Sequence, residues 1–260
     1  MKMSIGKRIK NAVKSRPWLF DLIVQRVKRQ ILGKRGSAYS FLDEFSRSRG
    51  GRLTFVQIGA NDGLRNDPVR EFVVRDQWSG VFVEPLPTVF PDLRRNYEYL
   101  TSRRKLAFEN VAISSALTSL PFFTFQPELL KRLSDEQRLD LLRKSSFDRE
   151  HVAKFAKTED DVLQINVPCA PVGQIIEKHF RGKGIDLLVI DAEGHEGTIL
   201  RSIDFAKVRI SGIFFESRHL GKEREPLFSL LAAHGYSVRE AEDDAFASKD
   251  SPADSRAAKG

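Results

Sequence analysis

From residue 37 onward, short apolar runs alternate with longer stretches in which apolar residues recur every three or four positions. The short runs predict strands and the periodic stretches predict helices. The predicted strands lie near residues 53–58, 80–84, 108–113, 121–125, 162–168, 186–191, 211–216 and 236–239. The predicted helices lie near residues 37–48, 64–77, 88–100, 128–143, 172–180, 195–203 and 223–234. This alternation predicts an α/β domain with a mainly parallel sheet and helices on both faces.

Charge is unevenly distributed along the chain. Residues 1–36 contain eleven Lys or Arg and one acid, Asp21, so their net charge is 11 − 1 = +10. The whole chain carries +8, which leaves −2 for the other 224 residues. We therefore predict a basic arm over 1–36, a globular domain over 37–246 and a small, polar, disordered tail over 247–260.

The arm contains a candidate amphipathic helix. Pro17 suits a first helical turn, and Trp18, Leu22, Val27 and Ile31 follow near helical spacing. The apolar stretch is too short to cross a bilayer and too interrupted by charge for a signal peptide. Two interpretations stay open: the helix packs on the domain with a solvated basic face, or it lies on an anionic membrane surface.

The single cysteine, Cys169, excludes an internal disulfide, and no Cys/His cluster has the spacing of zinc ligands. Both observations favour a cytoplasmic protein without structural zinc. The context of Cys169, "INVPCAPV", predicts a buried thiol rather than a nucleophile, because no base neighbours it in the sequence.

The first predicted strand, "LTFVQI", is followed by the turn "GANDG". Gly59 and Gly63 allow a sharp turn and close approach of a ligand to main-chain N–H groups. Asn61 and Asp62 tolerate unusual backbone angles or cap a helix beginning near Leu64. A turn without any ligand is the alternative.

The second predicted strand ends in Glu84, 21 residues past Gly63, where an acid is placed to accept hydrogen bonds from a ribose diol. A solvated carboxylate at a strand end is the other interpretation. A dinucleotide site would need Gly-x-Gly-x-x-Gly, whereas this turn carries Asp62 where it would repel a phosphate. S-adenosylmethionine has a ribose and an adenine but no phosphate, so it fits better.

Five motifs follow one another along the chain: "FVQIGANDG", "WSGVFVEPLPTVFPDLRRN", "ENVAIS", "IDLLVIDAEGHEGTIL" and "GIFFES". They cover roughly residues 53–240. In these motifs the sequence resembles the FkbM family of S-adenosylmethionine-dependent methyltransferases. The resemblance implies a Rossmann-like class I methyltransferase fold, with a seven-stranded, mostly parallel sheet and an antiparallel hairpin at one edge. It also implies S-adenosylmethionine as cofactor and O-methylation of a hydroxyl on a sugar or small metabolite.

The resemblance also implies where the cofactor binds. The implied cofactor residues are Gln57, Gly59, Asn61, Gly63, Glu84, Asn110 and Ala112. Glu84 would take the ribose hydroxyls, and Asn110 and Ala112 would lie near adenine. Gln57 stands where many members carry an acid, so it lacks the charge that favours the cofactor's ammonium, and we expect weaker binding.

Candidate catalytic residues follow the fourth strand of the resemblance, in "VIDAEGHEG". Methyl transfer requires a positioned oxygen and removal of its proton, which a carboxylate or an imidazole can accept. We expect His195 or Asp191 to be this base, with Glu193 fixing a sugar hydroxyl or orienting the imidazole. Glu216 would approach from the next strand.

Structural roles remain the alternative for these residues. Glu196 is expected to cap the following helix or face water, and His195 could make a structural hydrogen bond. Three oxygen-bearing side chains could also hold Mg²⁺ or Ca²⁺, but their spacing is insufficient to predict a metal.

An insertion over 119–161 carries two aromatic clusters and a polar helical segment, as expected of a lid or a substrate collar. Within it, Ser146, Asp148 and His151 could contact a polyhydroxylated acceptor. A surface helical hairpin is the alternative.

The predicted function is O-methylation of a sugar hydroxyl in a glycoconjugate, polysaccharide or small metabolite. The arm would suit a lipid-linked acceptor at the inner membrane face. A non-catalytic membrane adaptor would explain the arm but not "GANDG", Glu84 and "DAEGHE" together. An RNA methyltransferase would normally have a basic domain, so no nucleic-acid partner is expected. A nicotinamide oxidoreductase is disfavoured by the missing middle glycine.

Overall fold

The computed structural model describes residues 17–18, 21 and 37–249. The helices are α1 (Ala38–Ser48), α2 (Arg70–Arg75), α3 (Phe90–Thr101), α4 (Pro127–Leu130), α5 (Asp135–Leu142), α6 (Arg149–Ala153), α7 (Val172–Phe180), α8 (Glu196–Ser202) and α9 (Arg224–Ala233). The strands are β1 (Thr54–Ile58), β2 (Ser79–Val83), β3 (Leu106–Glu109), β4 (Ala112–Ile113), β5 (Thr118–Phe125), β6 (Val162–Ala170), β7 (Ile185–Ile190), β8 (Ile210–Glu216), β9 (Ser237–Ala241) and β10 (Asp244–Ser248). Short 3-10 turns lie at Glu159–Asp161 and Gly221–Glu223.

Seven strands form the main sheet in the order β3-β2-β1-β7-β8-β10-β9. The pairs from β3 to β8 are parallel, and β10 runs antiparallel to both β8 and β9. This order and these directions match the class I methyltransferase sheet that the resemblance implies, including the antiparallel hairpin at one edge. Chain order reverses beside β1, so the carboxyl ends of β1 and β7 border the crevice where ligands bind in such sheets.

A separate set of helices packs against the apolar residues of each face of the sheet. On one face, Phe41 of α1, Phe72 of α2 and Leu93 of α3 belong to one core cluster. On the other face, α7, α8 and α9 contribute Ile175, Ile199 and Leu227 to a second cluster. Because both faces are covered, the central strands are apolar almost throughout, as expected of a parallel sheet.

The helix predicted over 64–77 is limited to α2. Leu64 to Val69 form turns, because the Asp62 carboxylate accepts from two successive backbone N–H groups and the Asp67 carboxylate from two more. Asn66 also adopts a left-handed conformation, with φ 51°. These local hydrogen bonds compete with a continuous helix.

Two other predicted elements are each divided. The strand predicted over 108–113 becomes β3 in the main sheet and β4 in a second sheet of order β4-β6-β5. The helix predicted over 128–143 becomes α4 and α5, because Ser134 forms a capping box with Gln137 and starts a new helix.

Two short elements have no counterpart among the predictions. Helix α6 begins at Arg149, capped by the Asp148 carboxylate. Strand β10 includes Ala247 and Ser248, so the boundary predicted at residue 246 is wrong by at least two residues. Apolar side chains at Ala245, Phe246 and Ala247 are all buried, which explains why β10 belongs to the domain.

Most of the predicted arm lies outside the described residues, including Leu22, Val27 and Ile31. Pro17, Trp18 and Asp21 are helical. Asp21 is buried, whereas the Trp18 side chain is more than half exposed. Within the described part of the chain, no helix has the length and apolar character needed to cross a membrane.

Candidate active site

The turn after β1 is held in a conformation that depends on glycine. Gly59 has φ +75°, and a Cβ atom there would lie 1.7 Å from the Asp191 carbonyl oxygen, because β1 and β7 end side by side. Gly63 has φ +62°, and a Cβ atom there would lie 2.5 Å from the Tyr97 ring. Both glycines therefore allow close packing within the protein in addition to the turn.

The Glu84 carboxylate, directly after β2, connects two loops. Its Oε2 accepts from the Asn61 backbone N–H at 2.8 Å and its Oε1 from the Leu86 N–H at 2.9 Å. Burial raises its pKa to about 7 despite these hydrogen bonds, and nearby Asp191 and Asp62 add to the rise. Each oxygen keeps a further lone pair, so Glu84 can still accept from a ligand hydroxyl.

A cavity opens beside these loops, between the sheet edge and the insertion. Its first side is lined by Ile58, Gly59, Asn61, Glu84, Pro85, Leu86, Val111, Ala112 and Ile113. Its second side is lined by Phe122, Leu142, Arg143, Ser145, Phe147, Asp191, Ala192, Glu193, His195 and Ile199. The apolar walls beside the buried Glu84 carboxylate fit a nucleoside, whose base is apolar on its faces and whose ribose donates two hydroxyls.

Four of the predicted cofactor residues line this cavity: Gly59, Asn61, Glu84 and Ala112. The other three support it from outside. Gln57 is buried on the opposite side of β1, where its Nε2 donates to Asp67 at 3.3 Å. Gly63 packs on Tyr97, and the Asn110 side chain donates to the Glu84 and Pro85 carbonyls. These three residues shape the two loops, and their predicted direct contact with the cofactor stays a prediction.

The loop after β7 gathers the predicted acids. Glu193 adopts a left-handed conformation, with φ 47°, and Lys144 Nζ contacts both of its carboxylate oxygens, at 2.7 and 2.9 Å. Glu196 is buried and accepts from the Ala192 N–H at 2.7 Å, so it closes the loop and does not face water. Burial raises the Glu196 pKa to about 7.

Asp191 and His195 face the cavity from the same loop. Burial raises the pKa of Asp191 to about 6, and Glu193 adds to the rise while Arg143 opposes it. Burial lowers the pKa of His195, whose ring packs 4.7 Å from the Phe147 ring. A carboxylate with a pKa close to neutrality is suited to accept a proton.

A second, polar cavity adjoins the first. It is lined by Asn66, Pro68, Arg143, Lys144, Val189, Ile190, Asp191, Glu193, Phe214, Glu216, Arg218 and Asp244. Arg143, Asp191 and Glu193 line both cavities. The predicted catalytic residues are thus brought together at one junction, with Glu216 on the polar side and His195 on the other.

Sequence reasoning missed Arg143, Lys144, Arg218 and Asp244. The two residues of the insertion lie at the end of α5, where nothing in the sequence marks the direction of a side chain. Asp244 begins β10, and the apolar run "AFA" after it was the signal that could have located this strand. Burial raises the Asp244 pKa to about 7, and Asp191 and Glu216 add to the rise.

The three substrate residues predicted in the insertion line neither cavity. Ser146 is buried and donates to the Glu193 carbonyl at 3.2 Å. The Asp148 carboxylate caps α6 by accepting from two backbone N–H groups. His151 lies 3.7 Å from a Glu193 oxygen. They are therefore supports of the insertion and of Glu193 in this structure.

Glu193, Glu216 and His219 place one ligand atom each within 4.8 Å of one another. Protein cations already contact this group, because Lys144 binds Glu193 and Arg218 lies 3.3 Å from Glu216. A metal ion would have to compete with these ion pairs. The thiol of Cys169 is buried, as predicted, and burial raises its pKa.

The methyltransferase FkbM domain matches residues 57–238, which is more than half of the chain. This match confirms the resemblance inferred from the motifs. A search of curated proteins finds no matching sequence.

Several solved structures are similar to this chain at low identity. A methyltransferase FkbM from Methylobacillus flagellatus KT is 12% identical with a TM-score of 0.45, over 76% of this chain and 44% of that chain. The Podospora anserina methyltransferase PaMTH1, solved bound to SAH, is 9% identical with a TM-score of 0.41, over 96% and 98%. A ribosomal protein L11 methylase from Lactobacillus delbrueckii subsp. bulgaricus is 11% identical with a TM-score of 0.36, over 79% and 75%. This chain spans less than half the length of the Methylobacillus protein.

Proposed function

Because the chain belongs to the FkbM methyltransferase family, we propose that it is an S-adenosylmethionine-dependent O-methyltransferase. Its acceptor is a hydroxyl of a sugar in a glycoconjugate, polysaccharide or small metabolite. The observation that carries the proposal is the junction of the two cavities at Asp191. One cavity fits a nucleoside and the other is lined by polar groups that fit a polyhydroxylated molecule.

The cofactor would occupy the first cavity. Glu84 would accept hydrogen bonds from the ribose hydroxyls, and Leu86, Val111 and Ala112 would enclose the adenine. When bound, S-adenosylmethionine supplies a methyl group on a sulfonium that is already activated for displacement. The protein must therefore position the acceptor oxygen and remove its proton.

Asp191 is the proposed proton acceptor. It lines both cavities, and its pKa of about 6 leaves it ionised at neutral pH yet basic enough to take a proton. Glu193 is less suited, because Lys144 binds both of its oxygens. His195 lines only the cofactor cavity, where its neutral imidazole would contact the ligand beside Phe147.

The polar cavity would hold the acceptor. Glu216 and Asp244 can accept hydrogen bonds from sugar hydroxyls, and Arg143 and Arg218 can donate to ring and hydroxyl oxygens. Alternation of acids and guanidinium groups suits a neutral polyol better than a highly charged nucleic acid. The net charge of −2 outside the arm supports the same choice.

Localisation follows from the arm as part of the same proposal. Its charge of +10 would hold the enzyme on the anionic inner face of the membrane, as a peripheral protein of the cytoplasm. A lipid-linked sugar would then be concentrated beside the polar cavity.

Calorimetric titration of S-adenosylmethionine into the wild type and Glu84→Ala tests the cofactor site. We expect binding to the wild type and a loss of at least about tenfold in the variant, which is ~1.4 kcal/mol. Glu98→Ala, at an exposed acid of α3, is the matched control and should bind as the wild type does. NADH serves as the control ligand and should not bind.

Absence of binding to a folded wild-type protein would contradict the proposal and favour the adaptor. If the cofactor binds, transfer of a labelled methyl group to a panel of sugars, small metabolites and RNA tests the acceptor. If only RNA is labelled, the acceptor is a nucleic acid and the proposed sugar acceptor is wrong.

A further inference from the structure

A buried ion pair joins the arm to the domain. Arg70 of α2 donates from Nε to Asp21 Oδ1 at 2.7 Å and from Nη2 to Oδ2 at 3.0 Å. The side chains of Asp21 and Arg70 are only 5% and 4% exposed. The Tyr99 hydroxyl also donates to Asp21. Such a bidentate pair is well directed, and the loss of either partner would leave a charge buried without compensation.

The same guanidinium also holds the turn after β1. Its Nη1 donates to the Gly63 carbonyl at 2.6 Å, and its Nη2 donates to the Asn96 carbonyl at 3.1 Å. The Asn96 side chain in turn donates to the Asp62 carbonyl at 2.8 Å. Two consecutive carbonyls of "GANDG" are therefore fixed by Arg70 and by a residue that Arg70 contacts.

The Arg70 guanidinium is closely packed, so any shift that follows the loss of Asp21 would disturb its neighbours. Its carbon lies 4.7 Å from the centre of the Tyr97 ring, and that ring is the surface on which Gly63 packs. The Tyr97 hydroxyl is fixed by Asp67 at 2.6 Å. A shift of Arg70 would therefore be transmitted to Gly63 through both the carbonyl and the ring.

We propose that Asp21 is a positioning residue for the cofactor turn, acting through Arg70 on Gly63. Docking of the arm and binding of the cofactor are then coupled, so each favours the other by the same factor. Capture of the arm by another surface, with loss of the Asp21–Arg70 pair, would weaken cofactor binding. This inference rests on the proposed function for its ligand, but its geometry does not.

Asp21→Asn tests the coupling, because it removes the charge and keeps the shape. Asp186→Asn is the matched control: Asp186 pairs with Arg49 at 2.5 Å and accepts from Thr54, at the amino end of the parallel strands. Three quantities are measured: the melting temperature, the dissociation constant of S-adenosylhomocysteine and the hydrogen exchange of the ligand-free turn. The reporting amides are those of Gly63, Leu64 and Arg65, which are all hydrogen-bonded within the turn.

We expect both variants to lower the melting temperature, but only Asp21→Asn to weaken ligand binding, by about fivefold or more. It should also speed exchange of the three amides. Asp21→Asn/Arg70→Met removes the unpaired charge and should recover part of the thermal stability. Its ligand affinity should stay low, because a methionine side chain has no donor for the Gly63 carbonyl.

Unchanged affinity and exchange in Asp21→Asn, with a lower melting temperature, would overturn the inference and leave Asp21 a purely structural residue. If the wild type binds no S-adenosylhomocysteine, the proposed function fails. The exchange of the ligand-free turn then decides the coupling: faster exchange in Asp21→Asn supports it, and equal exchange overturns it.

Discussion

Burial sets the chemistry of single acids at the junction of the two cavities. Asp191 has a pKa of about 6 because water is largely removed from it and Glu193 lies nearby. A base must be ionised to accept a proton, so the turnover number should rise as pH increases through about 6 and level off above.

The rate of methyl transfer should fall by about a hundredfold or more in Asp191→Asn, because a positioned base contributes about that factor. Cofactor affinity should change little, since Asp191 is proposed to act on the acceptor. The check is a pH profile of the turnover number beside calorimetry of both proteins. If the variant keeps the same rise as the wild type, the base is another group, and His195 in the cofactor cavity is the first candidate.

Glu196 makes the stability of the folded protein decrease as pH rises, whereas the turnover number is expected to increase. Its pKa is about 7 in the folded protein and 4.5 ordinarily, so the folded state binds the proton more tightly. The stabilisation is complete below pH 4.5 and is lost as pH rises through about 7. Glu84 and Asp244, with pKa values of about 7, act in the same direction.

Glu196→Gln should therefore lessen the fall in melting temperature between about pH 5 and about pH 8. The amide oxygen can still accept from the Ala192 N–H, so the loop should keep its shape. Glu98→Gln, on the exposed side of α3, is the matched control and should follow the wild type. If the melting temperature depends on pH in the same way for all three proteins, Glu196 is ionised at no cost in the folded state.

At the scale of elements, the site depends on the close approach of the carboxyl ends of β1 and β7. Gly59→Ala places a methyl group 1.7 Å from the Asp191 carbonyl oxygen, so one strand end must move. We expect a loss of at least about 4 kcal/mol of stability. Gly50→Ala is the control, because Gly50 has a similar φ of +63° and open space around it. Its cost should be about 1–2 kcal/mol, and denaturant unfolding measures both.

A similar cost for the two alanine variants would mean that the ends of β1 and β7 can separate easily. The crevice would then be less rigid than the packing of Gly59 indicates.

Strand β10 is one of the two elements that the apolar pattern did not predict. Phe246 is fully buried and its ring lies 5.3 Å from Phe45 and 6.2 Å from Phe41 of α1. Phe246→Ala should lower the free energy of unfolding by about 3–5 kcal/mol. Leu117→Ala, at a side chain that is 67% exposed, should change it by less than about 0.5 kcal/mol. If urea titrations show equal losses of stability for the two variants, β10 does not belong to the stable core.

At the scale of the whole molecule, the charge of the arm and its docking are separate properties. Deletion of residues 1–36 would remove both, because Asp21 compensates the buried Arg70. Neutralisation to Gln isolates the charge if Asp21 is kept. The residues to neutralise are Lys2, Lys7, Arg8, Lys10 and Lys14.

We expect the wild type to sediment with anionic vesicles and the neutralised variant to bind at least about tenfold more weakly, since each basic residue contributes up to ~1 kcal/mol. A control with the same charge neutralises Lys131, Arg132, Lys154, Lys207 and Lys222, all exposed on the domain. Equal sedimentation of the three proteins would contradict the membrane proposal.

Local patterns in the sequence determined most of the order of strands and helices, the glycine turn after β1, and the acids Glu84 and Asp191 at strand ends. These features could be predicted because apolar periodicity and glycine punctuation act over a few neighbouring residues. Gln57, in contrast, was expected to contact the cofactor, but side chains alternate along a strand and Gln57 faces the side of β1 away from the cavity.

Only the tertiary structure decided which distant residues meet. Lys144 reaches Glu193 and Asp21 reaches Arg70, each across 49 positions of the chain. Asp244 joins the polar cavity because β10 inserts between β8 and β9. Such contacts depend on the packing of whole elements around the sheet, and no local periodicity encodes that packing.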